Sequence, residues 1–206
     1  MTNQAVVLIY ILCYILMFII TGLSKLRGSN RLFGFKGALP NNPSCLVVLH
    51  IAGILWFGFV PWCLSKQSLK AILFGNGLPT LSWMMLFIVL LAVIIFTAFR
   101  ASQKVQIKHA AGSLSAAAFL PFYFPLRIIF LGAYELFFRG VVFFDCIKWV
   151  GLVYAIIITT FLTGLIHVFT NTKEMWACIP FGIACCIFCI SLHAVWPAII
   201  TLASSA

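Results

Sequence analysis

Acidic residues are almost missing from this 206-residue chain: there are three Asp and Glu against thirteen Lys and Arg, and charged residues of both signs make up only 8%. With 64% hydrophobic residues and a mean hydropathy of +1.18, this composition excludes an ordinary soluble domain. Alternation of polar and apolar residues is also missing from the apolar runs, which excludes a closed transmembrane barrel. The first run has no basic segment before it and no small-residue cleavage site after it, so it reads as a retained helix and not as a signal peptide. No internal repeat, low-complexity linker or pair of C-x-x-C motifs is present. The eight cysteines, four of them at Cys178, Cys185, Cys186 and Cys189 in one apolar stretch, therefore read as small buried side chains.

What is present is a series of runs close to the roughly 20 residues that a helix needs to cross the hydrocarbon core. Ala5 to Leu23, Cys45 to Leu64, Leu81 to Phe99, Ile128 to Ile147, Gly151 to Phe169 and Met175 to Leu192 give six helices, and Ala194 to Ala206 a shorter seventh. The fold class expected is an all-α polytopic transmembrane bundle of six to seven helices. Turns are expected at Pro40 to Pro43 and at Gly75 to Pro79. Residues 1–113 read as N-terminal membrane helices with basic loops, and 114–206 as a membrane core that carries the unusual polar residues.

The net charge of +10 sits in short loops: Lys25, Arg27, Arg31 and Lys36 in the first, Lys66 and Lys70 in the second, Arg100, Lys104 and Lys108 in the third. This argues against nucleic acid as a partner. By the positive-inside rule it places the first and third loops in the cytoplasm and the N-terminus outside, with anionic lipid head groups as neighbours. The short loops and the lack of a targeting segment suit a bacterial inner membrane.

Polar side chains inside apolar segments are expensive, so each asks for a reason. Arg127, Glu135, Arg139, His167 and His193 are the ones that stand out, while Asp145 and Lys148 fall near a helix end and suit the interface. Glu135 and Arg139 are at i and i+4 and share a helix face. They are either a self-neutralising pair or part of a site. Arg127 falls on roughly the same face, or snorkels at the helix start after Pro125. Placing Glu135 early in its helix and His167 late in the next, antiparallel one puts both at one depth. A carboxylate, an imidazole and a guanidinium there would supply a base for water, a proton shuttle and a charge to orient the carboxylate, around a polar cavity. His193 could complete a Glu135/His167/His193 set for a divalent metal such as zinc, or be an interfacial histidine beside Trp196.

Taken together, "YELFFRG", "TGLIH", "FGIACCIF" and "LHAVWPAII" resemble the CAAX-protease and bacteriocin-processing (CPBP, or Abi) family of intramembrane proteases. The family's first motif is two glutamates, three variable residues and an arginine, its second F-x-x-x-H, and its third H-x-x-x-N. The resemblance implies Glu135, Arg139 and His167 as catalytic residues and a membrane-proximal or prenylated peptide as substrate. It also marks departures. Tyr134 replaces the first glutamate, the residue assigned to water activation, and a phenol with an ordinary pKa of about 10 holds its proton at neutral pH. Thr163 replaces the phenylalanine of the second motif, and Leu202 stands where the third histidine is expected. Three functions follow: a membrane endopeptidase using Glu135 and His167, a degenerate pseudoprotease that binds or escorts a membrane partner, or a transporter-like or scaffold subunit.

Overall fold

The computed structural model describes residues 3–26, 43–64, 68–75, 80–106, 114–169 and 172–205. Arg27, Arg31, Lys36, Lys66 and Lys108, and most of the two expected turns, lie outside the described residues. Among those described, regular structure is helical only.

Helix α1 (Asn3–Leu26) shows how the chain divides lipid from protein. Tyr10, Cys13, Met17 and Thr21 recur every three or four residues and are buried, whereas Leu8, Leu12, Ile15 and Ile19 face outward. In a bilayer the outward apolar face is solvated by lipid, so burial marks the packed stripe. The Tyr10 hydroxyl donates to Asp145 (3.0 Å) and that of Tyr14 to the Leu162 carbonyl (3.0 Å).

The second span is α2 (Pro43–Gly53), a π turn (Ile54–Phe59) and α3 (Val60–Leu64) in continuous succession. It approaches the motif-bearing helix closely because Gly53 faces the Phe130 ring and Gly58 faces Ala133. A short helix, α4 (Leu69–Phe74), follows, capped by Ser68, whose hydroxyl accepts from the Ala71 N–H (3.2 Å). Its end is held from a distance: the Val195 N–H donates to the Ile72 and Leu73 carbonyls (3.3 and 3.2 Å). Helix α5 (Leu81–Gln106) meets the C-terminal helices through Phe87, which packs edge-on against Phe188 and Trp196.

The motif-bearing helix is longer than expected. It runs as α6 (Leu114–Glu135), a π turn (Leu136–Val142) and α7 (Phe143–Val150), so it starts well before Ile128. Pro121 and Pro125 lie inside it; prolines are accommodated in membrane helices where neighbours re-satisfy the freed carbonyls. Gly151, at φ +85°, turns the chain into α8 (Leu152–Ile166), which ends in a 3₁₀ turn (His167–Phe169). Then come α9 (Thr172–Ser191) and α10 (Trp196–Ser205). Gln4–Leu23, Leu46–Leu64 and Leu152–Phe169 have the length and hydropathy to cross a membrane, and Leu81–Thr97 and Met175–Ser191 are shorter apolar helices.

Candidate active site

The segment "LFFRGVV" occupies the π turn Leu136–Val142, and every one of its residues is buried. A π turn widens the helix and is common at functional positions. Here it brings Phe137 and Phe138 against Tyr10, Tyr14 and Phe57. The result is an aromatic core that surrounds the two charged residues of the motif.

Arg139 Nη1 donates to Glu135 Oε1 at 3.0 Å, with 3% and 1% of the two side chains exposed. The pairing read from their spacing is therefore formed. Among the described residues, Glu135 Oε2 and Arg139 Nε make no hydrogen bond. The Arg139 charge also acts on Tyr134, Cys185, Cys186 and His167, which places all four around it. Cys185 and Cys186 come from α9, and their sulfurs lie 3.6 Å from the Thr201 and Thr159 hydroxyls respectively. The described cysteines are free thiols: Cys13, Cys146, Cys185, Cys186 and Cys189 are buried as expected, whereas Cys178 is only half-buried and Cys63 is exposed.

Glu135 is not early in its helix; it closes α6, just past the midpoint of Leu114–Val150. Its level still matches that of His167, because the two are equidistant in sequence from the turn at Gly151. His167 caps α8: its backbone N–H donates to Gly164 and Leu165 carbonyls, and its ring is half-buried. Thr163, in place of the motif phenylalanine, turns its hydroxyl back onto the Thr159 and Thr160 carbonyls (3.0 and 2.8 Å).

Tyr134 sits where the resemblance expects a glutamate, and it is 3% exposed. Its ring tilts against Phe138 (centroids 4.7 Å) and meets Phe57 edge-on (6.0 Å). Leu202 packs on the same aromatic core, while its neighbour Thr201 faces Cys185. A cavity between α8 and α9 is apolar, and Glu135, Arg139 and His167 do not line it.

His193 does not join the site. It stands exposed in the turn between α9 and α10 with φ +50°. Among the described residues no three of His, Cys, Asp and Glu converge as metal ligands. A Glu135/His167/His193 zinc set is not formed, and Glu135 is already engaged by Arg139, so the residues present do not fit a tetrahedral zinc site.

Arg127 neither joins Glu135 nor snorkels at a helix start. It is buried within α6 and hydrogen-bonds Tyr123, one turn before it. The Tyr123 hydroxyl lies 3.3 Å from His50 Nε2, and His50 Nδ1 donates to the Leu46 carbonyl (2.8 Å). This second polar cluster was missed in the sequence at His50, although an imidazole inside "CLVVLHIAGIL" is the same signal that singled out His167.

Residues 116–204, which contain Tyr134, Glu135, Arg139, His167 and α8 to α10, match the family model described as "Type II CAAX prenyl endopeptidase Rce1-like". No curated protein and no solved structure matches the chain. Residues 116–204 are thus similar to the Rce1-like CAAX prenyl endopeptidases, and the described residues form an all-helical membrane protein.

Proposed function

We propose that this protein binds a membrane-embedded or prenylated peptide partner without hydrolysing it, as a degenerate member of its family. The observation that carries this reading is Tyr134, a neutral phenol locked between Phe57 and Phe138 where the family's first motif has its water-activating glutamate. With that position filled by an aromatic ring, the Glu135–Arg139 pair acts as a self-neutralising structural element within an apolar core. General-base catalysis contributes about 10² to 10⁴ in rate, so losing the base removes most of the chemistry. The partner is a membrane protein or lipid-modified peptide, and the basic loops favour anionic lipids over nucleic acid. We assign the protein to a bacterial cytoplasmic membrane on its short loops.

A second reading has support of its own. Glu135 Oε2 makes no hydrogen bond among the described residues, and His167 lies at the same level. In that reading Glu135 deprotonates water, His167 shuttles the proton and Arg139 orients the carboxylate, giving peptide hydrolysis.

The test is a labelled peptide library, prenylated peptides included, presented to the protein in nanodiscs as wild type, Glu135→Ala and His167→Ala. Binding without cleavage is expected of the wild type and of His167→Ala, and no cleavage of Glu135→Ala, which leaves the buried Arg139 unpaired. Cleavage by wild type that disappears in both variants would establish the hydrolytic reading instead.

A further inference from the structure

Helix α4 is attached to the bundle through one narrow face. Of its side chains only Ile72 is buried, whereas Leu69, Lys70 and Phe74 are exposed. Ile72 packs with Leu136 and Val195 in a small cluster distinct from the main aromatic core, with Leu73, Phe144 and Ile199 against it. Its seat is the π turn itself. A Cβ on Gly140 would stand 3.0 Å from Ile72 Cγ2, 3.2 Å from Leu136 Cδ1 and 3.4 Å from Val195 Cγ2, so a side chain at the glycine of "FRG" would press on Ile72.

The backbone attachment is equally slight. The Val195 N–H is shared between the Ile72 and Leu73 carbonyls at 3.3 and 3.2 Å, at or beyond the long end of the usual range. Neighbouring amides of the same turn bond back into α9 instead: Leu192 to the Phe188 carbonyl, His193 to that of Ile190 and Ala194 to that of Cys189, at 2.9 to 3.1 Å. The turn therefore holds its shape through α9, and α4 lies on it as a separate piece. Ser68 starts α4 in an extended conformation, and Gly75 ends it at φ +70°, a region open to glycine. A segment with few buried apolar contacts and weak backbone bonds opens locally while the rest of the fold stays intact.

We propose that α4 is a hinged cap over the motif-bearing π turn. It is closed in the structure. Pivoting at Ser68 and Gly75, it lifts as a unit, draws Ile72 off Gly140 and releases the Val195 N–H. This uncovers the side of Leu136 and Gly140 that Ile72 now covers, next to Arg139 in the chain. Hinges are commonly such element-terminal residues, which absorb the change in φ and ψ. Leu69 and Phe74 give α4 an apolar outer side that can rest on lipid when the inner side lets go. The cap is independent of whether a peptide is hydrolysed, because Ile72, Leu136 and Gly140 take no part in either reading of the function.

Hydrogen exchange of the protein in nanodiscs is the test, because the Val195 N–H donates to α4 and not to its own turn. The exchange is read at single amides by mass spectrometry with electron-transfer fragmentation and corrected for intrinsic rates. In the wild type, Val195 is expected to exchange about tenfold faster than Leu192 and Ala194. Ile72→Ala, which removes the buried anchor, should speed Val195 about tenfold further and leave Leu192 and Ala194 within about twofold, while Ile72→Val should speed Val195 only about threefold. Equal protection of Val195, Leu192 and Ala194 in the wild type, a comparison that needs no variant to fold, would overturn the proposal. So would an Ile72→Ala protein in which all three amides speed up together, since α4 would then be a fixed part of the turn.

Discussion

Arg139 and Glu135 form a 3.0 Å ion pair in which neither side chain is more than 3% exposed. Such a pair is held by mutual need: each charge would be intolerable in that environment without the other. Replacing either residue alone, as Glu135→Leu or Arg139→Leu, is expected to destabilise the protein by about 3 kcal/mol or more, whereas replacing both with leucine should cost far less. Thermal unfolding in nanodiscs measures the three variants, and a double variant as unstable as the worse single one would contradict a structural role.

Gly182 separates α9 from Thr160 and Arg139. A methyl there would meet Thr160 Cγ2 at 3.2 Å and Arg139 Nη2 at 3.3 Å, so these side chains or α9 must shift by a few tenths of an ångström. Gly182→Ala is expected to lower stability by about 1–3 kcal/mol through overpacking, even though alanine is the better helix former. A stabilised Gly182→Ala protein in the same unfolding assay would show that the two helices are not in close contact.

His50 and Tyr123 join α2 to α6 through a 3.3 Å contact between two fully or nearly buried groups. A double-mutant cycle of His50→Leu and Tyr123→Phe should return a coupling of about 0.5–1.5 kcal/mol. A coupling indistinguishable from zero would mean that each group is satisfied elsewhere.

Gly75 ends α4 with φ +70°, and a Cβ there would run into the His193 carbonyl. Gly75→Ala therefore carries a left-handed backbone penalty of about 1–2 kcal/mol in addition to the clash. The expected readout is a lower melting temperature together with increased protease access to the turn at His193. An unchanged melting temperature would contradict the close docking of α4 on that turn.

The spans and the ion pair were legible because hydropathy and the i,i+4 spacing are properties of the sequence alone. Ala5 to Leu23 and Leu81 to Phe99 correspond closely to α1 and α5, and Glu135 with Arg139 could be paired without coordinates. The start of the motif-bearing helix was not legible. Pro125 read as preceding a helix start, but it lies within α6, as prolines can in membrane helices. The π turns at Ile54–Phe59 and Leu136–Val142 have no sequence period that marks them, and they decide which side chains face the core. Helix α4 was passed over as a connection, although Ser68 and Gly75 carry its cap and its stop. The direction of the Thr160 hydroxyl depends on a side-chain rotamer and on the missing Cβ of Gly182, and sequence cannot specify either.

Tyr134 is the residue on which the proposed function turns, since its buried ring stands where the resemblance expects the water-activating glutamate. The most direct measurement is incubation of the wild-type protein in nanodiscs with a prenylated peptide in H₂¹⁸O, followed by mass spectrometry of any new carboxyl terminus. The account predicts bound, intact peptide and no ¹⁸O-labelled fragment. An ¹⁸O-labelled fragment that forms with wild type and is lost in Glu135→Ala would contradict it.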